Sequence, residues 1–441
     1  MDPGSPYQWL KELRWEDRGI YLVRLLNACA GYVATGNIKN ANLGLEYISH
    51  LTSPDGDAMQ RMATYISEAL SFRVFQHLPA ACEIIMNSSS RMSNLEELVV
   101  KSLFYELCPF LKVSYLITNQ AIVEAMEGEK MVHIIDLNAS EPAQWINLLM
   151  ALKKRREGPP HLKITVIHEK KEVLEHVGLQ LIGEAEKLEF PLQFIPIVSK
   201  LQDLDFDSLS VKTGEALAIS SVLQLHSLLA ADNEMYARSS PAASKNLQRA
   251  VHMNQRTFAE WLEKDKINAY ILSPDSALSP LSLSASPKMG SFLNDLWKLQ
   301  PKLMVITEQE SNLNGSNLME RVDKVLHFYG SLFDCLESTV SRTSLERQKL
   351  ERMLLGEEIK NIIACEGLKR KERHEKLEKW IPWLELASFG RVPFSYDGMY
   401  QAKRLLQNYG HGYKLREENG FLFICWNDKP LFSVSAWRFR R

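Results

Sequence analysis

The sequence predicts an α/β fold in which a mostly parallel sheet is covered by helices on both faces. Two observations carry this prediction. From about residue 130 onwards, short apolar runs alternate with amphipathic segments, which is typical of a doubly wound parallel sheet. Near the C-terminus, strand-like runs follow one another with only turn residues between them, which indicates an antiparallel addition to that sheet.

The first hundred residues are predicted to be helical. Gly36 ends the first helix, a second begins near Ala41, and a third spans residues 59–75. These helices are expected to form a helical cap, residues 1–120, on an α/β core formed by residues 121–441. The first helix has one apolar face, which comprises Leu22, Leu25, Leu26, Cys29 and Val33.

The alternating region supplies the elements of the predicted core. Strands are expected at residues 131–136, 162–167, 192–197, 216–221 and 302–307. Helices are expected between them at residues 142–154, 170–188, 222–230 and 315–337. A Ser- and Pro-rich segment at about residues 232–290 has little apolar periodicity. We expect a flexible insertion there, because such a segment buries too little apolar surface to offset the entropy of ordering it.

Three β-rich runs close the chain, at residues 413–417, 421–426 and 431–437, with turn-like residues between them. An antiparallel hairpin added to a parallel sheet is how methyltransferase-type Rossmann folds end. We therefore predict a Rossmann-like, methyltransferase-type sheet. This likeness concerns the fold and carries no chemistry by itself.

Composition and charge argue against several classes of protein. The 441-residue chain has a formal net charge of -2, whereas autonomous DNA binding usually requires a basic surface. The six cysteines lie far apart without a CxxC pair, which argues against a zinc site and a disulfide framework and favours a reducing intracellular compartment. No apolar run reaches the roughly 18 residues that would span a bilayer, so we expect a soluble protein.

The stretch MVHIIDLNASEPAQW, residues 131–145, has the layout of a nucleotide-binding junction without its glycines. A strand ends in Asp136 and a helix follows, but the turn from Leu137 to Pro142 contains no glycine. Glycine lets the backbone approach a phosphate or nucleoside closely, and proline does not. We therefore expect no S-adenosylmethionine or other cofactor, and interpret Asp136 as a hydrogen-bonding partner of the next helix's N-terminus.

Catalytic motifs are incomplete. His133 lies inside an apolar strand, where a lone histidine is more often a hydrogen-bonded core residue than a base. His374-Glu375 lacks the second histidine of the HExxH zinc motif, and no GxSxG, Walker loop or paired-carboxylate arrangement is present. We therefore expect no enzyme and assign no catalytic, cofactor or metal residue. The open alternative is a Rossmann-type small-molecule-binding protein or methyltransferase-like enzyme that uses Asp136 and Glu169.

Two LxxLL sequences, at residues 22–26 and 225–229, place three leucines on one helix face, a spacing that suits docking in an apolar groove. The same spacing describes any buried amphipathic helix. Core packing is favoured for the second sequence, which directly follows a predicted strand. For the first, both interpretations stay open, and Leu22, Leu25 and Leu26 are candidate partner-docking residues.

Five motifs in order resemble those of the GRAS family of plant transcriptional regulators, and several motifs in register are more specific than any one alone. Residues 19–75 and 173–229 resemble its two leucine-rich regions. The central VHIID motif comprises Val132, His133, Ile134, Ile135 and Asp136. The other motif residues are Pro301, Phe328 and Tyr329 of PFYRE; Arg370, Glu372 and Arg373 of an RVER-like element; and Ser435, Ala436 and Trp437 of SAW.

Within the family the sequence is most similar to the scarecrow-like 3 group, on its short N-terminus and its NASEPAQW stretch. It departs from the common pattern at two places. Pro142 stands where most members have glycine, and Glu357-Glu358 stands where the Arg-Glu of PFYRE is expected. The first departure further weakens a nucleoside site, and the second puts the role of the Arg-Glu pair in doubt.

The resemblance implies a nuclear transcriptional co-regulator that acts through protein–protein contacts in plant development and in gibberellin signalling. The partners it implies are zinc-finger DNA-binding transcription factors and other GRAS proteins, including DELLA-type repressors. These contacts extend to homo- or hetero-oligomers, with DNA reached mainly indirectly. The residues themselves predict no catalysis, no cofactor and no membrane association.

Overall fold

The computed structural model of the chain describes residues 14–75, 94–138, 141–230 and 287–440. These residues form two compact units, each assembled from segments that are distant in sequence. The first unit contains the described residues up to 75 together with 312–373, and the second unit contains the rest. Among the described helices, none combines the length and the hydropathy of a membrane span.

Helices make up the first unit and flank the sheet of the second. In chain order they are α1 (Trp15–Ala34), α2 (Ile38–Leu51), α3 (Ala58–Phe75), α4 (Asn94–Leu107), α5 (Pro109–Ala125), α6 (Ala143–Lys153), α7 (Lys171–Lys187), α8 (Pro287–Lys298), α9 (Leu318–Thr339), α10 (Leu345–Leu350), α11 (Gly356–Ala364), α12 (Leu377–Leu386) and α13 (Tyr396–Gln407). A π-helical turn, Glu351–Leu355, joins α10 to α11. Asn37, Asn317, Ser344 and Ser395 cap α2, α9, α10 and α13 by accepting a first-turn N–H.

The strands of the described residues form one sheet in the second unit. In chain order they are β1 (Met131–Asp136), β2 (His161–His168), β3 (Leu192–Val198), β4 (Ala216–Val222), β5 (Leu303–Gln309), β6 (Phe389–Val392), β7 (Tyr413–Glu418), β8 (Phe421–Trp426) and β9 (Lys429–Phe439). Their spatial order is β3-β2-β1-β4-β5-β9-β8-β7, and β6 pairs with β9. Strands β1 to β5 are parallel, whereas β9 runs antiparallel between β5 and β8. The expected Rossmann-like, methyltransferase-type sheet is therefore confirmed.

Two predicted elements need correction. Leu225–Ala230 forms a short 3-10 turn in place of the helix expected at 222–230, because β4 extends to Val222 and Leu223 has a φ of 52° that no α-helix accommodates. The insertion expected at about 232–290 also ends earlier. Residues 231–286 lie outside the described residues, but α8 begins at Pro287.

The apolar core of the first unit is built on α1 and its neighbouring helices. Leu22, Leu25, Leu26 and Cys29 are each 0% exposed, which confirms the predicted apolar face. Leu22, Leu25 and Leu26 therefore stabilise the core and are not available to a partner in this structure. This finding corrects their candidate docking role. The LxxLL spacing arises here from burial of one helix face.

A buried ion network ties the helices of the first unit together. The guanidinium of Arg61 in α3 donates hydrogen bonds of 2.9 and 3.0 Å to the carboxylate of Glu351 and one of 2.6 Å to Glu337. Arg347 in α10 donates to the same Glu351 carboxylate at 3.3 Å. Because these charges are mutually paired, loss of one partner would leave an uncompensated buried charge, which typically costs about 3–5 kcal/mol.

The compact units differ from the expected division into a cap, residues 1–120, and a core, residues 121–441. Helices α4 and α5 belong to the unit that holds the sheet, and residues 312–373 belong to the unit of the N-terminal helices. Apolar periodicity shows which face of a helix is buried but not which surface covers it. The cap boundary at residue 120 stays a prediction about folding units, which limited proteolysis would test.

Candidate functional site

The carboxyl end of β1 is hydrogen-bonded to the first turn of α6. Asp136 accepts a hydrogen bond of 2.6 Å from the indole Nε1 of Trp145 and one of 3.1 Å from the backbone N–H of Asn138. Burial raises the pKa of Asp136 to about 6, although both hydrogen bonds act to lower it. The acid therefore anchors the following helix. The contact is with the side chain of Trp145 in the first turn of the helix. The sequence predicts a contact with the helix N-terminus itself.

The turn before α6 is built on Pro142, where a cofactor-binding turn would have glycine. Pro142 has a φ of -65°, and its carbonyl accepts hydrogen bonds from the N–H groups of Trp145 and Ile146. Proline offers no N–H of its own to a phosphate. Residues 139 and 140 of the same turn, part of the NASEPAQW stretch, lie outside the described residues.

The alternative small-molecule site would need the carboxylates of Asp136 and Glu169 together. The Asp136 carboxylate is buried and bonded to the indole of Trp145, which is itself 0% exposed. Glu169, by contrast, is exposed just beyond the end of β2. A nucleoside would have to displace a buried tryptophan to reach Asp136. The geometry therefore favours a structural role for Asp136.

His133 is part of a buried polar network in the middle of the sheet. Its Nε2 lies 2.8 Å from the hydroxyl of Thr165, and its Nδ1 lies 3.1 Å from the carboxylate of Glu215. Burial and the charge of Lys163, whose Nζ lies 3.3 Å from the same carboxylate, lower the pKa of His133. The imidazole is therefore neutral near pH 7. The expectation of a hydrogen-bonded core histidine is confirmed.

The other VHIID residues pack in the interior of the central strand. Val132, Ile134 and Ile135 are buried between β2 and β4, their hydrogen-bonded neighbours in the sheet. A strand flanked on both sides and covered on both faces requires a continuous apolar run, which explains the motif's composition. The motif therefore forms the centre of the sheet in this structure, and any functional contact of its residues stays a prediction.

The PFYRE residues divide between the two units. Pro301 precedes β5 in the second unit, where its carbonyl accepts a hydrogen bond of 3.3 Å from the N–H of Phe439. Phe328 and Tyr329 are buried on α9 in the first unit. The hydroxyl of Tyr329 donates a 2.8 Å hydrogen bond to the carboxylate of Glu358 on α11. Glu358, the second acid of the unusual Glu357-Glu358 pair, is thus bonded to another residue of the motif.

The RVER-like element holds the loop that precedes α9. The guanidinium of Arg370 donates hydrogen bonds of 3.0 to 3.4 Å to the backbone carbonyls of residues 313–315. Arg373 donates 3.0 Å bonds to the Asn314 side chain and to the carbonyl of Gly367. Both arginines are 1% exposed, and burial lowers their pKa. They therefore stabilise the fold and are not available for contacts at the protein surface. Glu372 is partly exposed, and its role stays a prediction.

The SAW motif lies within β9, the antiparallel strand inserted into the sheet. Ser435, Ala436 and Trp437 pair with Ile306, Val305 and Met304 of β5. Trp437 is 0% exposed, and its indole Nε1 donates a 2.9 Å hydrogen bond to the hydroxyl of Ser435. The motif therefore joins the parallel and antiparallel parts of the sheet.

One polar cluster was not predicted from the sequence. Glu308, at the end of β5, lies 2.9 Å from Nδ1 of His226 and 3.8 Å from Nδ1 of His374. The two imidazole rings lie 3.8 Å apart between centroids. Burial would raise the pKa of Glu308, but the two histidines lower it to about 2. Only the fold brings these distant residues together, so no local spacing could reveal them.

Comparison with known proteins gives the same family as the motifs. The GRAS domain family matches residues 22–438. The chain is 65% identical over 440 residues to the GRAS family protein TF80 of Medicago truncatula, which covers all of both chains. It is 54% identical to Scarecrow-like protein 3 of Arabidopsis thaliana, over 99% of this chain and 92% of that protein. The crystal structure of SCL7 from Oryza sativa superposes with a TM-score of 0.71 at 26% identity, over 95% of this chain and 99% of that one. This chain therefore belongs to the GRAS domain family.

Proposed function

We propose that this chain is a nuclear transcriptional co-regulator that acts through protein–protein contacts. Membership of the GRAS domain family, together with the likeness to Scarecrow-like protein 3 and to DELLA proteins, supports the broader statement of transcriptional regulation in plant development. The observation that carries the mechanism is the hydrogen bond between Asp136, at the carboxyl end of β1, and the buried indole of Trp145. Doubly wound folds bind their ligands at that edge of the sheet, and here the protein itself engages the acid that a ligand would use.

The distribution of positive charge supports indirect contact with DNA. The chain has a formal net charge of -2. Several of its arginines are at most 1% exposed among the described residues and so cannot contact phosphate, namely Arg61, Arg321, Arg347, Arg370 and Arg373. Because phosphate contacts supply most non-specific DNA affinity, this distribution favours recruitment by a DNA-bound partner.

Gibberellin signalling is the process we propose for this regulation. The chain is 32% identical to the DELLA protein GAI1 of Vitis vinifera and 30% identical to the DELLA protein RGL1 of Arabidopsis thaliana. The family resemblance implies zinc-finger transcription factors and other GRAS proteins, DELLA-type repressors among them, as partners. The buried leucines of α1 are no longer part of this proposal, so the docking surface must be formed by other residues.

Affinity capture of the tagged chain from plant nuclei tests the proposal. We expect zinc-finger factors and GRAS proteins to be enriched, and the enrichment to change when seedlings are treated with gibberellin. A Trp437→Ala chain serves as the control, since a misfolded scaffold should lose these partners. Recovery of metabolic enzymes without transcription factors would contradict the proposal.

A further inference from the structure

We propose that a phosphate group binds to four arginines of the first unit, in the position held by the carboxylate of Glu366. These residues, here called the arginine cluster, are Arg73, Arg321, Arg370 and Arg373. Arg321 donates a 2.5 Å hydrogen bond to one oxygen of the Glu366 carboxylate, and Nη2 of Arg73 lies 2.8 Å from the same oxygen. The Nε of Arg370 lies 3.8 Å from the other oxygen.

The arginine cluster places four positive charges around this one carboxylate. The negative charge of Glu366 raises the pKa of Arg321, Arg370 and Arg373, and it forms an ion pair with Arg73. Burial and the charges of Arg321 and Arg373 nevertheless lower the pKa of Arg370 to about 9. A phosphate monoester carries about two negative charges near neutral pH, so it offsets this repulsion better than a carboxylate does.

One donor of the arginine cluster lacks an acceptor within the described part of the chain. The Nε of Arg370 is buried and makes no hydrogen bond, although the residue is only 1% exposed. Its two terminal nitrogens donate to the backbone carbonyls of residues 313–315, which fixes the guanidinium. A phosphate group has three acceptor oxygens where a carboxylate has two. It can therefore bond this Nε in addition to the nitrogens of Arg73 and Arg321.

The Glu366 position is open to solvent. The side chain of Glu366 is 47% exposed, and that of Arg73 is 20% exposed. Glu366 lies between the end of α11 and the 3-10 turn Gly367–Lys369, so its carboxylate can turn into solvent without breaking a helix. The surface of a duplex is too broad to follow it, and the buried arginines stay closed to DNA. A single phosphate group that replaces the carboxylate reaches the same donors.

The donors around this position are held in place by the backbone. Arg321 donates to the carbonyls of Ile362, at 3.1 Å, and of residues 315 and 316, at 3.0 and 2.9 Å. Arg73 donates a 3.0 Å hydrogen bond to the carbonyl of Ile363. Arginine presents its N–H groups in a rigid fork that matches phosphate oxygens, and preorganised donors lose little entropy on binding. The arginine cluster therefore suits a phosphate group in a defined orientation.

Calorimetric titration of the full-length chain with inorganic phosphate and, separately, with O-phosphoserine tests the proposal. We expect saturable binding of both at about millimolar concentration, and no saturable heat with chloride at the same ionic strength. Tighter binding of O-phosphoserine would identify a phosphorylated side chain as the ligand. Equal or tighter binding of inorganic phosphate would identify the free anion.

Paired variants separate this site from a general effect of charge. Arg73→Gln should weaken phosphate binding at least about tenfold, as loss of a charge-assisted hydrogen bond does. Arg352→Gln, at an exposed arginine of the same unit, is its matched control and should bind as the parent chain does. Glu366→Gln removes the competing carboxylate and should strengthen phosphate binding about tenfold. Glu357→Gln removes the same charge at a 61% exposed side chain and should leave binding unchanged.

Thermal unfolding gives a second readout that a purely structural ion pair would not produce. Glu366→Gln should lower the thermal midpoint, because it leaves the arginines without their carboxylate, and phosphate should restore it. The parent chain and the Arg73 variants keep the test decisive if the Glu366→Gln chain does not fold. Absence of saturable phosphate binding by the parent chain, parent-like affinity in a folded Arg73→Gln chain, or equal effects of Glu366→Gln and Glu357→Gln would each overturn the proposal.

Discussion

The hydroxyl of Tyr329 donates a 2.8 Å hydrogen bond to the carboxylate of Glu358, which joins α9 to α11 inside the first unit. Tyr329 is 0% exposed, so its hydroxyl has little access to water. The sequence left the role of the Glu357-Glu358 pair in doubt because arginine is expected at its first position. The structure places only the second acid in the bond, and the side chain of Glu357 is 61% exposed.

The Tyr329–Glu358 bond predicts different costs for neighbouring substitutions. Tyr329→Phe should lower the free energy of unfolding by about 1–3 kcal/mol, because it leaves a charged acceptor without its buried donor. Glu357→Arg restores the common family residue at an exposed position and should change stability by less than about 0.5 kcal/mol. Urea unfolding of both variants measures the difference. Equal effects would show that the hydrogen bond does not stabilise the motif.

The second prediction concerns Trp437 of the SAW motif. Trp437→Ala should destabilise the chain by about 3–5 kcal/mol, as large-to-small changes in a core do. Ser435→Ala removes only the hydroxyl that accepts the indole N–H and should cost about 1 kcal/mol. Denaturant unfolding gives both values. A Trp437→Ala chain that stays fully folded yet fails to bind its partners would instead make Trp437 an interface residue.

The third prediction concerns the cofactor position of the fold. The indole of Trp145 is hydrogen-bonded to the Asp136 carboxylate, and the turn contains Pro142 in place of glycine. Titration calorimetry with S-adenosylmethionine should therefore give no heat up to about millimolar concentration. A millimolar dissociation constant corresponds to a binding free energy of only about 4 kcal/mol. Cofactor binding in the micromolar range would contradict the structural role of Asp136. It would also revive the small-molecule alternative.

The sequence predicted the sheet well and the polar clusters poorly, for a physical reason. Buried strands such as β1 and β4 can be predicted because they are continuous apolar runs bounded by turn residues. Burial of Leu22 could not be separated from docking, since both produce the same spacing. The bond between His226 and Glu308 joins residues 82 positions apart, so it depends on the register of β4 and β5 and on no local pattern.

The fourth prediction is a loss of stability on mild acidification. Burial, helped by the charge of Lys101, lowers the pKa of His168 to about 4, and burial lowers that of His133 as well. The unfolded chain, with histidine pKa values near 6.5, therefore binds more protons than the folded chain between about pH 6.5 and 4, so the unfolding free energy falls as pH falls. Asp136, with its pKa raised to about 6, opposes this change between about pH 6 and 4, as do the glutamates whose pKa burial raises, namely Glu68, Glu141, Glu310 and Glu351. Glu97 and Glu308, whose pKa values are lowered to about 2, act in the same direction as the histidines.

Urea unfolding between pH 7 and 4.5 measures this dependence. His168→Gln keeps an acceptor for the N–H of Lys170, which donates to Nδ1 of His168 at 3.0 Å, and removes the titration. The slope of its unfolding free energy against pH should be shallower than that of the parent chain, by up to the equivalent of about one bound proton. His161→Gln, at the exposed start of β2, should retain the parent slope. Identical slopes in all three chains would refute the assignment.

We propose that the protein reaches DNA through a partner. An electrophoretic mobility shift assay with the purified chain at about 150 mM salt, with and without a DNA-bound zinc-finger factor, tests it most directly. We expect no sequence-specific shift by the chain alone, and a supershift of the factor's complex when both are present. Sequence-specific binding by the chain alone at nanomolar concentration, the affinity of an autonomous DNA reader, would contradict it.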